Sequence, residues 1–209
     1  MSDQDQSEVP QIYLLTPSAF DVATFPAQLA QILDDHDIAC VRLALASKDE
    51  IDLGRAADAV REICHARDVA VVIDSHVALV EKHGLDGVHL LDGARSVRDV
   101  RKTLGADAIV GAYCGSTRHD GMTAGEIGAD YVAFGPAGTS GLGTGTQAEK
   151  ELFEWWSAMI EVPVVAEGAL DVDTIKALSP HTDFFAIGDE IWTKDNPSAA
   201  LGALIAAMT

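Results

Sequence analysis

The chain has 209 residues, enough for one domain with a sizeable core and too few for two of ordinary size. Asp and Glu number 33 against 14 Lys and Arg, and the resulting charge of −19 repels phosphate polymers and anionic bilayers, so neither nucleic acid nor membrane is an expected partner. With 48% hydrophobic and 22% charged residues the composition is that of a folded soluble protein, with no run near the roughly 20 apolar residues of a bilayer span and no signal-peptide pattern; the cytoplasm is the expected compartment.

Residues 1–10 are polar and acidic and are expected to form a mobile leader, with the fold over residues 11–209. The short apolar run at 12–16 closes at Pro17 and is followed by a helical pattern through Phe25, Leu29, Ile32 and Leu33. A second strand is expected over 38–45. A helix follows over 49–68, with Leu53, Ala56, Ala57, Val60, Ile63 and Cys64 spaced by three and four. The continuous apolar run 69–73 suits a parallel strand covered on both faces, and 75–84 makes a short helix stopping at glycine.

A fourth strand spans 86–90, then a helix 97–105 with Arg101 and Lys102 in its last turn, a strand 107–112 and a short helix 119–128. The remaining pattern is a strand 131–134, a glycine-rich loop 135–145, a helix 148–160, a strand 162–166, a helix from Asp171, a strand 184–187 and a closing helix 199–208. Eight strands alternating with eight helices through short loops predict a single (β/α)8 TIM barrel, whose chemistry lies at the carboxyl ends of the strands. An open doubly wound sheet is the alternative; no G-x-G-x-x-G opens its first turn.

The three cysteines Cys40, Cys64 and Cys114 are widely spaced within apolar runs, which predicts reduced, buried thiols and neither a disulfide framework nor a zinc site. Trp155 and Trp156 are expected to pack one ring on the sheet and leave the other near the rim.

In their order and spacing, several short segments resemble the thiamine phosphate synthase and thiazole tautomerase (TenI-like) family over nearly the whole chain. They are Tyr13-Leu14-Leu15-Thr16, Val41-Arg42-Leu43, Asp86-Gly87-Val88-His89-Leu90, Gly128-Ala129-Asp130-Tyr131-Val132 with Gly135-Pro136, and Val162-Pro163-Val164-Val165-Ala166 with Gly168. Similarity to a divergent branch appears at Cys114, Arg118, His119, Met122, the Trp pair and Ile191-Trp192. The resemblance implies a transferase of thiamine biosynthesis that joins a pyrimidine diphosphate to a thiazole phosphate, with Mg²⁺ on the leaving diphosphate. It implies a small phosphorylated or heteroaromatic ligand, and a homodimer as readily as a monomer.

Several positions depart from the family's pattern. Where the second strand of the family ends in Gln, Arg and Lys at alternate positions, this chain has Arg42, Ala44 and Ala46, with Lys48 nearby. The family's Asn-Asp after strand three corresponds to Asp74-Ser75, and its Gly-Gln-Glu-Asp after strand four to Leu91-Asp92-Gly93-Ala94, which makes Asp74 and Asp92 the displaced candidates for holding Mg²⁺. The synthase serine falls on Tyr113 and the tautomerase histidine on Gly115. The loop after strand six keeps glycines and threonines without the family's lysine; it either wraps a phosphate with its N–H groups or is a flexible surface loop.

Gly168 and Gly188 stand at the turns after strands seven and eight, where barrels hold phosphate, and with Arg42 and Lys48 they are the candidate ligand contacts. Glu167, Asp189 and Glu190 beside them oppose an anion unless they point away or cap a helix. Asp74, Asp92, Glu167 and Asp189 are expected to ring the mouth. Arg118 and His119 open the helix after strand five and are the candidate catalytic pair, through a titrating imidazole beside a guanidinium, against a simple capping role. His89 is expected to be a hydrogen-bonded packing residue inside the barrel. Two alternatives to the transferase stand beside it: a non-catalytic ligand-binding or regulatory pseudoenzyme, and a different acid–base reaction using His119 and the rim carboxylates.

Overall fold

A computed structural model describes residues 9–209. The leader expected over residues 1–10 lies outside the described residues except for Val9, which is exposed, and Pro10, which is buried.

Eight parallel strands close into a barrel in sequence order: β1 (Gln11–Leu15), β2 (Ile38–Leu43), β3 (Ala70–Asp74), β4 (Gly87–Leu90), β5 (Ile109–Tyr113), β6 (Tyr131–Phe134), β7 (Val164–Glu167) and β8 (Phe184–Ile187). Closure is direct, because β1 pairs with β8 as well as with β2. Around it lie α1 (Phe25–Asp35), α2 (Glu50–His65), α3 (Val77–His83), α4 (Val97–Leu104), α5 (Arg118–Glu126), α6 (Lys150–Met159), α7 (Val172–Leu178), α8 (Asp189–Trp192) and α9 (Pro197–Ile205). The expected (β/α)8 barrel is therefore the observed one.

Among the described residues the helix count differs from the expectation by one, because α8 is a single turn and too short to show a helical period. It is fixed by tertiary contacts: Ile191 is fully buried, and the Trp192 indole N–H donates to the Leu15 carbonyl at 2.7 Å. Four helix starts carry side-chain caps. Asp49, Thr117, Asp171 and Asn196 each accept a hydrogen bond from a backbone N–H in the first turn of α2, α5, α7 and α9.

Two apolar layers result from the period-two alternation of the strands. One set of side chains faces the helices: Leu14, Val41, Leu43, Ile73, Val88, Phe134, Phe185 and Ile187 pack there against Leu29, Val60, Phe153 and Ile175. The other set fills the barrel, with Tyr13, Cys40, Val72, Tyr131, Ala133, Val165 and Ala186. Gly111 on β5 is required by this interior, because a Cβ there would collide with the Tyr131 ring. Trp156 is buried with its N–H on the Val162 carbonyl at 2.7 Å, while Trp155 is half-buried, as expected of the pair. All three cysteines are free and buried, and burial pushes their thiols up to about 12, so they are inert packing groups.

Candidate functional site at the carboxyl end of the barrel

The carboxyl ends of β2, β3 and β7 bring three charged side chains together. Arg42 and Glu167 are each 4% exposed and form a bidentate pair, with Nη1 donating to Oε2 at 3.0 Å and Nη2 to Oε1 at 2.7 Å. Asp74 completes the group: its Oδ1 lies 3.0 Å from Arg42 Nε, yet neither atom has a hydrogen bond of good geometry. The contact is thus an ion pair at short range rather than a directed bond. One guanidinium between two carboxylates leaves the group net negative when all three are ionised.

The pKa directions follow from that burial. Desolvation raises the Asp74 carboxyl, Arg42 opposes the shift and Glu167 adds to it, with the result pushed up to about 6. Arg42 itself stays protonated well above the ordinary value, because Glu167 and Asp74 outweigh the cost of its burial.

Beneath the charged group runs a polar column across the barrel interior. The Tyr13 and Tyr131 hydroxyls are 2.6 Å apart, and the Tyr131 hydroxyl is 2.9 Å from His89 Nδ1. His89 is fully buried, and desolvation with the nearby Arg42 charge holds its imidazole well below the usual pKa, hence neutral. Burial raises both tyrosines, which remain phenols.

Above the charged group a cavity of about 440 Å³ opens between the turns after β1, β6, β7 and β8. Leu15, Ala44, Leu142 and Ala186 form its apolar wall, and Glu167, Asp189 and Glu190 its acidic one, with Gly168 and Gly188 between them. Gly168 has a φ of 90°, a backbone geometry that suits glycine. Glu190 does not point away: its Oε2 accepts from Gly188 N–H at 2.8 Å and its Oε1 from Leu170 N–H at 3.2 Å. One carboxylate thereby ties together the two turns where a barrel commonly holds phosphate.

The loop after β6 is docked at its base. Ala137 N–H donates to the Glu167 carbonyl and Gly138 N–H to the Gly168 carbonyl, both at 2.9 Å, and Gln147 Nε2 donates to the Ala137 carbonyl at 2.7 Å. Its Ser140 and Leu142 line the cavity. Tyr113 donates to the Gly135 carbonyl at 2.6 Å and so braces this loop; burial is the main cause that pushes its phenol up to about 12.

Of the residues singled out from sequence, Arg42, Asp74, Glu167, Gly168, Gly188 and Asp189 gather at the mouth. Glu190 also lines the cavity, while Lys48, Asp92, Arg118 and His119 do not. Lys48 is exposed, Asp92 is exposed and accepts from the Ser96 hydroxyl at 2.6 Å, and Arg118 stacks on Trp155 at 4.6 Å from the ring centroid. His119 is exposed on the first turn of α5, and neither it nor Arg118 lines the cavity. His89 is the hydrogen-bonded residue expected inside the barrel; its partners Tyr131 and Tyr13 were not anticipated, although alternation along β1, β4 and β6 places all three on inward positions.

The comparisons with known proteins agree with this fold. The family described as thiamine monophosphate synthase matches residues 12–191. The chain is 42% identical over 195 residues to the thiamine-phosphate synthase of Rhodospirillum centenum, covering 91% of this chain and 93% of that protein. It is 36% identical over 202 residues to that of Erythrobacter litoralis, covering 93% and 94%. Among solved structures, thiamine phosphate pyrophosphorylase from Pyrococcus furiosus superposes with a TM-score of 0.82 over 97% of this chain and 96% of that one at 15% identity, a likeness of fold. Between them the family match and the two relatives span nearly the whole chain, and the chain belongs to the thiamine monophosphate synthase family.

Proposed function

We propose that this chain is a transferase that joins a pyrimidine diphosphate to a thiazole phosphate in the cavity at the barrel mouth. The observation that carries the reading is the Arg42–Asp74–Glu167 group, set on three strand ends beside a cavity with one apolar wall and two glycine turns.

In such a transfer the bond from the pyrimidine methylene to the diphosphate oxygen breaks and a bond to the thiazole nitrogen forms, so positive charge develops on the methylene and negative charge on the leaving group. A buried group with one cation and two carboxylates stabilises the methylene cation by fixed charge in a site of low dielectric. Leu15, Ala44, Leu142 and Ala186 offer the aromatic rings an apolar face, and the backbone at Gly168 and Gly188 is the candidate phosphate cradle, once Glu190 yields its hydrogen bonds.

Mg²⁺ is the cofactor the family implies. Among the described residues no three His, Cys, Asp or Glu side chains gather into a metal-binding group. The donor set nonetheless suits an ion that takes one or two carboxylates and completes its shell with water and substrate phosphate. Asp74, through the carboxylate oxygen that does not face Arg42, and Asp92, exposed beyond the next strand, are the residues that would hold it. Bound there, Mg²⁺ would neutralise charge on the departing diphosphate.

Small molecules are the partners in this reading, the cytoplasm is its compartment, and a homodimer fits it as well as a monomer, which sedimentation velocity distinguishes. No helix among the described residues is long and apolar enough to cross a membrane. The test is turnover of the two precursors with and without Mg²⁺. Metal-dependent formation of the joined product supports the proposal. Calorimetric binding of thiazole phosphate without any product identifies the non-catalytic alternative, and neither binding nor product overturns both.

A further inference from the structure

The polar column inside the barrel has two ways to order its protons. In the first, the Tyr13 hydroxyl donates to Tyr131, the Tyr131 hydroxyl donates to His89 Nδ1, and the imidazole carries its proton on Nε2. In the second, His89 Nδ1–H donates to Tyr131 and Tyr131 to Tyr13. That order leaves two buried groups unmatched, the Tyr13 hydroxyl proton and the Nε2 lone pair. The first leaves one, the Nε2–H. Buried polar groups without partners are costly, so the first order is favoured.

His89 Nε2 is buried without a hydrogen-bond partner, and so is Asp74 Oδ1. The two residues are Cα partners across β3 and β4, and the Ser75 N–H donates to the His89 carbonyl at 2.9 Å, which pins the strands at that level. Asp74 faces Arg42 from β2 without a directed bond, while Glu167 from β7 already gives both oxygens to Arg42. An unmatched donor and an unmatched acceptor thus stand on paired residues at the floor of the mouth.

We infer that His89 is a positioning residue: a neutral imidazole that Tyr131 holds in its Nε2–H tautomer and that orients Asp74 at the mouth through one bridging water, the two side chains being out of direct hydrogen-bond reach. The Tyr13–Tyr131–His89 chain sets which ring nitrogen carries the proton, and the proton sets which atom Asp74 can receive. The functional consequence rests on the proposed ligand site at the mouth; the tautomer does not.

The test is ¹⁵N NMR of the full chain labelled at histidine, with the His89 signals assigned by their loss in His89→Gln and by through-space contact to the Tyr131 ring. The wild type is expected to show the proton on Nε2, Tyr13→Phe to keep it there, and Tyr131→Phe to give a mixture or a switch to Nδ1. Asp74→Asn is expected to move the Nε2–H proton resonance upfield. A wild-type Nδ1–H tautomer overturns the inference, as does an Nε2–H signal indifferent to Asp74→Asn. In a second arm, thiazole phosphate affinity is expected to fall about tenfold in His89→Leu and to recover in His89→Gln, which keeps an N–H donor. Equal losses in both variants overturn the positioning role, and absence of any binding by wild type counts against the proposed function while the tautomer result still decides the inference.

Discussion

Arg42 and Glu167, 125 residues apart in sequence, meet inside the barrel mouth with both terminal nitrogens on both carboxylate oxygens, at 3.0 and 2.7 Å. Each is 4% exposed, so removal of either leaves a buried charge with a poorer partner. Glu167→Gln is expected to cost about 3–5 kcal/mol in urea unfolding. The double variant Arg42→Met/Glu167→Leu, made on Asp74→Asn so that no carboxylate is left buried without its cation, should recover most of that loss. Equal destabilisation by the single and double variants would contradict the pairing.

Asp74 sets a pH dependence of unusual sign. Its folded carboxyl holds a proton up to about pH 6 against 3.8 for an ordinary aspartate, so the folded state binds more protons than the unfolded state in that window. The stability this contributes is complete below the unfolded value and is lost as pH rises through the folded one. Relative to Asp74→Asn, the wild type is therefore expected to lose up to about 3 kcal/mol between pH 4 and pH 7 and little beyond. Paired urea titrations across pH 4–8 measure it; a flat difference would show that Asp74 is ionised throughout.

The loop after β6 docks on β7 with little room to spare. A Cβ at Gly138 would collide with the Ala169 carbonyl. Gly138→Ala is expected to displace the loop, at a cost of about 1–3 kcal/mol in thermal or urea unfolding, and to weaken ligand binding, since Ser140 and Leu142 line the cavity. Gly141→Ala, where a Cβ meets nothing within 4 Å, is the control that should leave both unchanged.

Glu190 holds the Gly188 and Leu170 N–H groups that a ligand phosphate would need. Glu190→Ala is expected to strengthen binding of inorganic phosphate or thiazole phosphate, by removing both a competitor and a like charge, and to reduce stability by about 1 kcal/mol. Calorimetry at fixed ionic strength reads the affinity. Weaker binding in the variant would place the phosphate elsewhere.

Arg118 and His119 offer a contrast. With Arg118 stacked on Trp155 and His119 exposed on α5, His119→Ala is expected to leave turnover within about twofold of wild type, and Arg118→Ala to cost about 0.5–1 kcal/mol of stability through the lost cation–π contact. A loss of turnover beyond a hundredfold in His119→Ala would instead restore the pair to the reaction.

The barrel was legible in the sequence because each strand is a short apolar run and each helix keeps its period, as in residues 53–64 of α2. Convergence of Arg42, Asp74, Glu167, Gly168 and Gly188 was legible too, since a closed parallel barrel brings all strand ends to one rim whatever their separation in the chain. Partner choice was not. Whether Glu167 pairs with Arg42 or opposes a phosphate depends on side-chain reach across the barrel, and whether Glu190 caps a helix or ties two turns depends on the path of the turns themselves. Lys48 and Asp92 lie in loops beyond their strands, where alternation no longer fixes a direction. The tyrosines read as ordinary strand residues, because a phenol and an apolar ring follow the same pattern until a partner is placed opposite.

The most direct measurement is a crystal structure of the full chain with thiazole phosphate. The account predicts the ring against Leu15, Ala44, Leu142 and Ala186, the phosphate at the Gly168 and Gly188 turns with Glu190 displaced, and the Arg42–Glu167 pair intact below it. Ligand density away from this cavity, or an anion seated there with Glu190 still on Gly188, would contradict it.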